Sequence, residues 1–142
     1  MSGLRFPKTK PEDLEALAEI RVASMRESLE AIGRFDPERA RQRLIDSFAC
    51  EHARWIELDE VKIGFYQLRP VDGGYRLDHL YLLPAHQGRG IGGRVLQAIF
   101  AQSGIAPITL GALKDSPAND FYRSHGFRAT ATSEWDTEYR RP

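Results

Sequence analysis

The residues best equipped for chemistry lie in one stretch, Leu80-Tyr81-Leu82-Leu83-Pro84-Ala85-His86-Gln87-Gly88-Arg89-Gly90-Ile91-Gly92-Gly93. An apolar strand passes through Pro84 into a loop with glycines at 88, 90, 92 and 93, and a helix is predicted over 92–103. Glycine lacks a Cβ, so the loop backbone can turn sharply and bring bare N–H groups against a ligand. The first N–H groups of the helix have no internal partner, and the helix dipole favours negative charge there. A strand, a glycine loop and a helix N-terminus therefore make a site for phosphate. Two spacings describe this loop. Gly88-Arg89-Gly90-Ile91-Gly92-Gly93 fits the dinucleotide pattern G-x-G-x-x-G, with Asp115 near the distance of its ribose-binding acid. In that pattern, however, the first glycine follows its strand directly, whereas Pro84-Ala85-His86-Gln87 intervene here. That fold also needs several more strand–helix units than the 49 residues after Gly93 can build. A P-loop is excluded because no Gly-Lys-Ser/Thr closes the loop.

The second spacing is Gln87-x-x-Gly90-x-Gly92. It resembles the pyrophosphate-binding loop of the GNAT superfamily of acetyl-CoA-dependent N-acetyltransferases. Downstream, Leu113-Lys114-Asp115-Ser116-Pro117-Ala118-Asn119-Asp120-Phe121-Tyr122-Arg123-Ser124-His125-Gly126-Phe127 is similar to the segment of that family in which a strand ends, a short helix carries Phe-Tyr, and Gly-Phe opens the next strand. The resemblance covers about Leu77 to Phe127; the N-terminal third matches only in element order and length. It implies acetyl-CoA as cosubstrate, held by Gln87, Gly88, Arg89, Gly90, Ile91 and Gly92. It also implies that backbone groups of Leu80, Tyr81 and Leu82 serve the thioester and the pantetheine arm. The sequence departs from the family at the Asn that often bonds that arm. Asp115 and Ser116 stand there instead, and Ser116 is the residue taken to face the cofactor.

Acetylation of an amine by a thioester makes three demands. The amine must be neutral, and for a lysine-like amine of pKa 10.4 deprotonation at pH 7 costs about 4 to 5 kcal/mol. The developing oxyanion needs donors, and the leaving thiolate benefits from a proton. The resemblance assigns that proton to Tyr122, whose hydroxyl can donate and accept. For the base, strand alternation puts Asp78, Leu80 and Leu82 on one face and His79, Tyr81 and Leu83 on the other. Asp78 thus shares the face of the cofactor-side positions and is the candidate base, acting through water. His79 titrates in the useful range but faces away. His125, beside Gly126, is expected to interact with its helix C-terminus, and His86 to flank phosphate. No His/Cys/carboxylate cluster has metal-ligand spacing, so no metal is expected.

Several elements must position these groups. Leu4-Arg5-Phe6 reads as a short strand. Pro11-Glu12-Asp13 starts a helix whose inner side is Leu14, Leu17, Ala18, Arg21 and Met25. Asp36 as N-cap and Pro37 at the first helical position start another, with Ala40, Leu44, Ile45 and Phe48 as its apolar stripe. Strands follow at 55–58, 61–68 and, after the Asp72-Gly73-Gly74 turn, 75–83. The loop leads to helix 92–103, strand 107–113, helix 117–125 and a closing strand pair within 127–140. The order β-α-α-β-β-β-α-β-α-β is that of a single α/β domain over residues 1–142. The resemblance makes it a GNAT-like α/β/α sandwich around a mixed, mostly antiparallel sheet with a splayed central strand pair.

Composition narrows the partners. A hydrophobic fraction of 42% and a charged fraction of 28% are those of an ordinary globule. No apolar run approaches a membrane span, no signal pattern opens the chain, and Cys50 is the lone cysteine, which fits a reducing cytoplasm. A lone thiol is usually a packing residue, and Cys50 is not taken as a nucleophile. Net charge is zero, which argues against nucleic acid and membrane as partners. Yet the 36 residues between Asp78 and Asp115 hold no acid, where the average of 20 in 142 predicts about five. Arg89, Arg94 and Lys114 fall in that gap, as a groove for a polyanionic cofactor requires. The acceptor is less well encoded. Glu134, Asp136 and Glu138 form an acidic strip alternating with Trp135, Thr137 and Tyr139, whereas Arg26 and Arg34 lie between the first two helices. The expected function is acetyl transfer to a primary amine of a small molecule or peptide by direct attack on the thioester. The alternative is an acyl-CoA-binding sensor or structural domain without catalysis. Dimerisation through the late strands is a further implication of the resemblance.

Overall fold

The computed structural model describes residues 3–142. Its elements follow the predicted order: β1 (Leu4–Arg5), α1 (Leu14–Ala31), α2 (Pro37–Ser47), β2 (Ala53–Leu58), β3 (Val61–Val71), β4 (Gly74–Leu82), α3 (Ile91–Ser103), β5 (Ile108–Leu113), α4 (Pro117–Ser124), β6 (Arg128–Thr132) and β7 (Asp136–Arg141). The strands make one seven-stranded sheet in the order β1-β2-β3-β4-β5-β7-β6. β1/β2, β2/β3, β5/β7 and β6/β7 are antiparallel, and β4/β5 is parallel. The sheet is therefore mixed and mostly antiparallel, as expected. The β4/β5 register comprises Tyr75↔Ile108 and Arg76↔Thr109, whereas β5/β7 runs on from Ile108↔Arg141 to Leu113↔Asp136. The short register is the splayed central pair.

Boundaries move where local chemistry dictates. β3 continues past the predicted Leu68 to Val71, which tightens the hairpin to Asp72-Gly73, with Gly73 at φ 78°. β4 ends at Leu82, because Pro84–His86 forms a short 3-10 turn. The chain divides into two compact units, one of residues up to Gln67 with His79–Gly92, the other of Leu68–Asp78 with Gly93–Pro142.

In the first unit, Leu17, Ala18 and Ile20 of α1, Leu44 of α2, Trp55 of β2 and Phe65 of β3 form one buried cluster. Leu14, Phe48, Tyr81 and Leu83 pack on it. Met25, expected inside, is half-buried, and Ile20 takes the inner position instead. Asp36 caps α2 as predicted, its carboxylate accepting from the Arg39 N–H at 3.2 Å. Gly64 answers a steric demand: a Cβ there would meet the Tyr81 carbonyl oxygen at 2.0 Å. Only glycine lets β3 run this close to the end of β4.

In the second unit, Leu110, Tyr139, Phe127 and Tyr122 are buried. Phe127 meets Tyr122 edge-on at 5.4 Å and Phe100 at 6.1 Å, within the range at which aromatic pairs contribute beyond area alone. Val95, Leu96 and Ile99 give α3 a buried stripe at helical spacing. A Cβ on Gly93 would come within 3.1 Å of His125 Nε2, so the glycine sets how closely α3 and the end of α4 approach. His125 Nδ1 lies 2.9 Å from the Phe121 carbonyl, closing the α4 C-terminus as its position suggested.

Candidate functional site

The candidate residues fall into two groups. The first belongs to the end of β4 and its loop. Gln87, read as part of the phosphate pattern, turns its side chain back, and Nε2 donates to the Leu82 carbonyl at 2.8 Å. Ser24 Oγ of α1 donates to the same oxygen at 3.0 Å. Gln87 thus ties the start of the loop to the strand before it. Beyond that tie, Gly88 and Gly90 adopt φ 72° and 79°. A non-glycine residue in this region costs roughly 1–2 kcal/mol. A Cβ at either position would meet no atom within 4 Å, so the space over the loop is open to a ligand. Ile91 is buried and anchors the helix start, whereas Arg89 and Arg94 are exposed. The first turn of α3 holds no acidic residue. Left-handed glycine backbone, the exposed Arg89 guanidinium and a helix start without acids fit a polyphosphate ligand. His86, expected near that phosphate, is half-buried, and its Nδ1 has no hydrogen-bond partner among the described residues.

The strand leading into the loop is held from its side chains. Arg21 of α1 donates from Nε to the Tyr81 hydroxyl at 3.1 Å and from NH1 to the Ala40 carbonyl of α2 at 2.7 Å. The Tyr81 hydroxyl lies 3.1 Å from His79 Nδ1, and His79 Nε2 lies 2.8 Å from Ser47 Oγ. Ser47 in turn donates to the Arg43 carbonyl at 2.8 Å. These contacts tie His79 into the link between β4 and the first two helices. Arg21 and Ser24 escaped the sequence reading as site residues, because their partners lie some sixty positions along the chain.

Asp78 sits at the edge of the second unit. Its two carboxylate oxygens accept from Arg69 Nε and NH2, each at 3.0 Å. The hydrogen bonding to Asp78, and then the carboxylate charge, push the Arg69 guanidinium up from its ordinary value.

The other group is built on α4 and the strands beside it. Tyr122 is buried, at 8% exposure, with Phe121 at 5.2 Å and Tyr139 at 6.4 Å between ring centres. Its helix is locked by Asn119. The amide Nδ2 donates to the Leu113 and Ser116 carbonyls, each at 2.9 Å, and Oδ1 accepts from the Tyr139 hydroxyl at 2.7 Å. Ser116 Oγ donates to the Leu113 carbonyl at 2.7 Å. The end of β5 and the start of α4 are thus one hydrogen-bonded knot, with Tyr122 one turn further along. Asn119 does not stand in for the family's missing Asn, since both ends of its amide are committed.

Residues 50–129, more than half of the chain, match the family model of the acetyltransferase (GNAT) domain. Fold, loop and match define an acyltransferase. The chain belongs to the GNAT superfamily of acetyl-CoA-dependent N-acetyltransferases. Among solved structures, it is similar to the PaiA N-acetyltransferase of Thermoplasma acidophilum in complex with coenzyme A, at 22% identity and a TM-score of 0.77, over 97% of this chain and 98% of that one. An acetyltransferase from Thermus thermophilus shares 23% identity at a TM-score of 0.77, over 100% and 99%. An Arabidopsis thaliana protein in complex with the bisubstrate analogue CoA-Ac-MVNAL shares 14% at a TM-score of 0.64, over 99% of each chain. At these identities the likeness is one of fold. No curated protein matches the sequence.

Proposed function

We propose that the protein, acting as one domain over residues 1–142, transfers the acetyl group of acetyl-CoA to a primary amine of a small molecule or peptide by direct attack on the thioester. The observation that carries this reading is the open glycine loop, with Gly88 and Gly90 in left-handed backbone and nothing in the path of a ligand above them. In this reading Gln87, Gly88, Arg89, Gly90, Ile91 and Gly92 form the pyrophosphate cradle, with Gln87 shaping it through Leu82. Backbone groups of Leu80, Tyr81 and Leu82 serve the thioester carbonyl and pantetheine, and Ser116, which can still accept a hydrogen bond, serves the same arm. Tyr122 protonates the leaving thiolate. Asp78 receives the amine proton through water.

The alternative, an acyl-CoA-binding domain without catalysis, draws on the Arg69–Asp78 pair, which engages both oxygens of the candidate base. The family expectation of a cytoplasmic protein that dimerises through its late strands accompanies either reading. Thiol release from acetyl-CoA, followed across small amines, amino acids, polyamines, aminoglycosides and peptides, separates them. Release that depends on an acceptor supports transfer. Tight CoA binding without release on any acceptor supports the sensor.

A further inference from the structure

The sheet of the second unit has one face turned toward α4, where Tyr139 reaches Asn119. The residues of its opposite face can be read from the register. Arg76 of β4 stands opposite Thr109 of β5, Thr109 opposite Arg140 of β7, and Arg140 opposite Arg128 of β6. Paired residues project from the same face, so three arginines and a threonine form one row across four strands. Two steps along β7 from Arg140, Glu138 lies on the same face and is bound by Arg76, at 2.7 and 3.2 Å. That pair spans β5 because position 111 is glycine: a Cβ there would come within 2.7 Å of Glu138 Oε2. Asp78 is likewise taken by Arg69. The neighbouring cations Arg123 and Arg141 are engaged elsewhere, over the rings of Tyr139 and Phe100.

Arg128 and Arg140 remain. Both are exposed, they stand directly opposite each other, and neither has a carboxylate partner among the described residues. Like charges in opposed positions on a sheet are destabilising, so the pair lowers stability and gains nothing within the unit.

We propose that this arginine face is a docking surface for an acidic polypeptide segment, two of whose carboxylates seat on Arg128 and Arg140. Guanidinium groups take carboxylates two-pronged, a geometry lysine cannot offer. The row carries no aromatic side chain on which a nucleic-acid base could stack. Glu138, beside it, opposes a continuous phosphate backbone but admits carboxylates spaced along an extended chain. The proposal does not depend on acetyl transfer.

Fluorescence anisotropy tests it with the full chain and a labelled peptide of alternating glycine and glutamate. A lysine counterpart and a single-stranded oligonucleotide serve as competitors. The wild type is expected to bind the acidic peptide in a salt-sensitive manner. The double variant Arg128→Gln/Arg140→Gln should lose at least about tenfold in affinity while its Tm stays level or rises by about 1–2 °C, since a repulsion is removed. The raised or level Tm excludes misfolding as the cause. Absence of peptide binding by the wild type, or equal binding by the double variant, overturns the proposal. So does tighter competition by the oligonucleotide.

Discussion

The loop after β4 and the knot at the start of α4 achieve order by opposite means. At Gly88 and Gly90 the chain removes side chains and takes up left-handed backbone, with no heavy atom within 4 Å of where a Cβ would lie. At α4 it does the reverse, filling the interior with Tyr139, Asn119 and Tyr122, all nearly inaccessible, with Tyr139 and Asn119 tied by hydrogen bonds of 2.7 to 2.9 Å and Tyr122 held by ring contacts. The first arrangement suits a ligand that brings its own charge and is met by backbone dipoles. The second suits a single side chain that must hold one place. In the proposed reading binding and proton transfer fall to different kinds of structure, and each should fail in its own way.

Substitutions break the contrast in order of size. Gly90→Glu places a side chain in left-handed backbone and a negative charge where phosphate is expected. CoA binding measured by calorimetry should fall below detection while the thermal transition moves little. Retained binding would remove the loop from the site. In the knot, Tyr139→Phe leaves Asn119 Oδ1 buried without its donor, a loss of about 1–3 kcal/mol. Denaturant unfolding should register that loss, with CoA affinity unchanged in the protein that remains folded. A smaller effect sharpens the comparison where strand meets loop. Gln87→Ala removes one of two donors to the Leu82 carbonyl, so KM for acetyl-CoA should rise a few-fold, in line with about 1 kcal/mol for one exposed hydrogen bond. An unchanged KM would mean that Ser24 alone suffices to hold the end of β4.

How much of this could be read in advance follows from the same contrast. The loop was legible because its information is local: glycine spacing, a preceding proline and a helix start fall within fourteen consecutive residues, 80–93. Element order was legible because apolar periodicity and the Asp36-Pro37 cap act over single turns. The Asp36 cap, the mixed sheet and the His125 contact at the end of α4 came out as expected. What escaped was the identity of partners. Nothing near Tyr81 announces that Arg21 and His79 will meet its hydroxyl, and nothing near Asn119 announces Tyr139. Those pairings are made by tertiary packing. The acidic strip on β7 illustrates the same limit: nothing near Glu138 announces that Arg76 from β4 will pair with it across a glycine. Gln87 shows a subtler form, since a residue singled out for its place in the loop pattern turns its side chain back to the Leu82 carbonyl.

The measurement that most directly tests the division between holding and reacting is Tyr122→Phe, followed by calorimetry with CoA and by thiol release with the best acceptor on the same preparation. The ring of Tyr122 packs against Phe121, Phe127 and Tyr139, and phenylalanine preserves that packing while deleting only the hydroxyl. The account predicts a kcat lower by roughly 10² with CoA affinity within a factor of about two. Turnover equal to the wild type, or CoA affinity falling as far as kcat, would contradict it and return Tyr122 to the core.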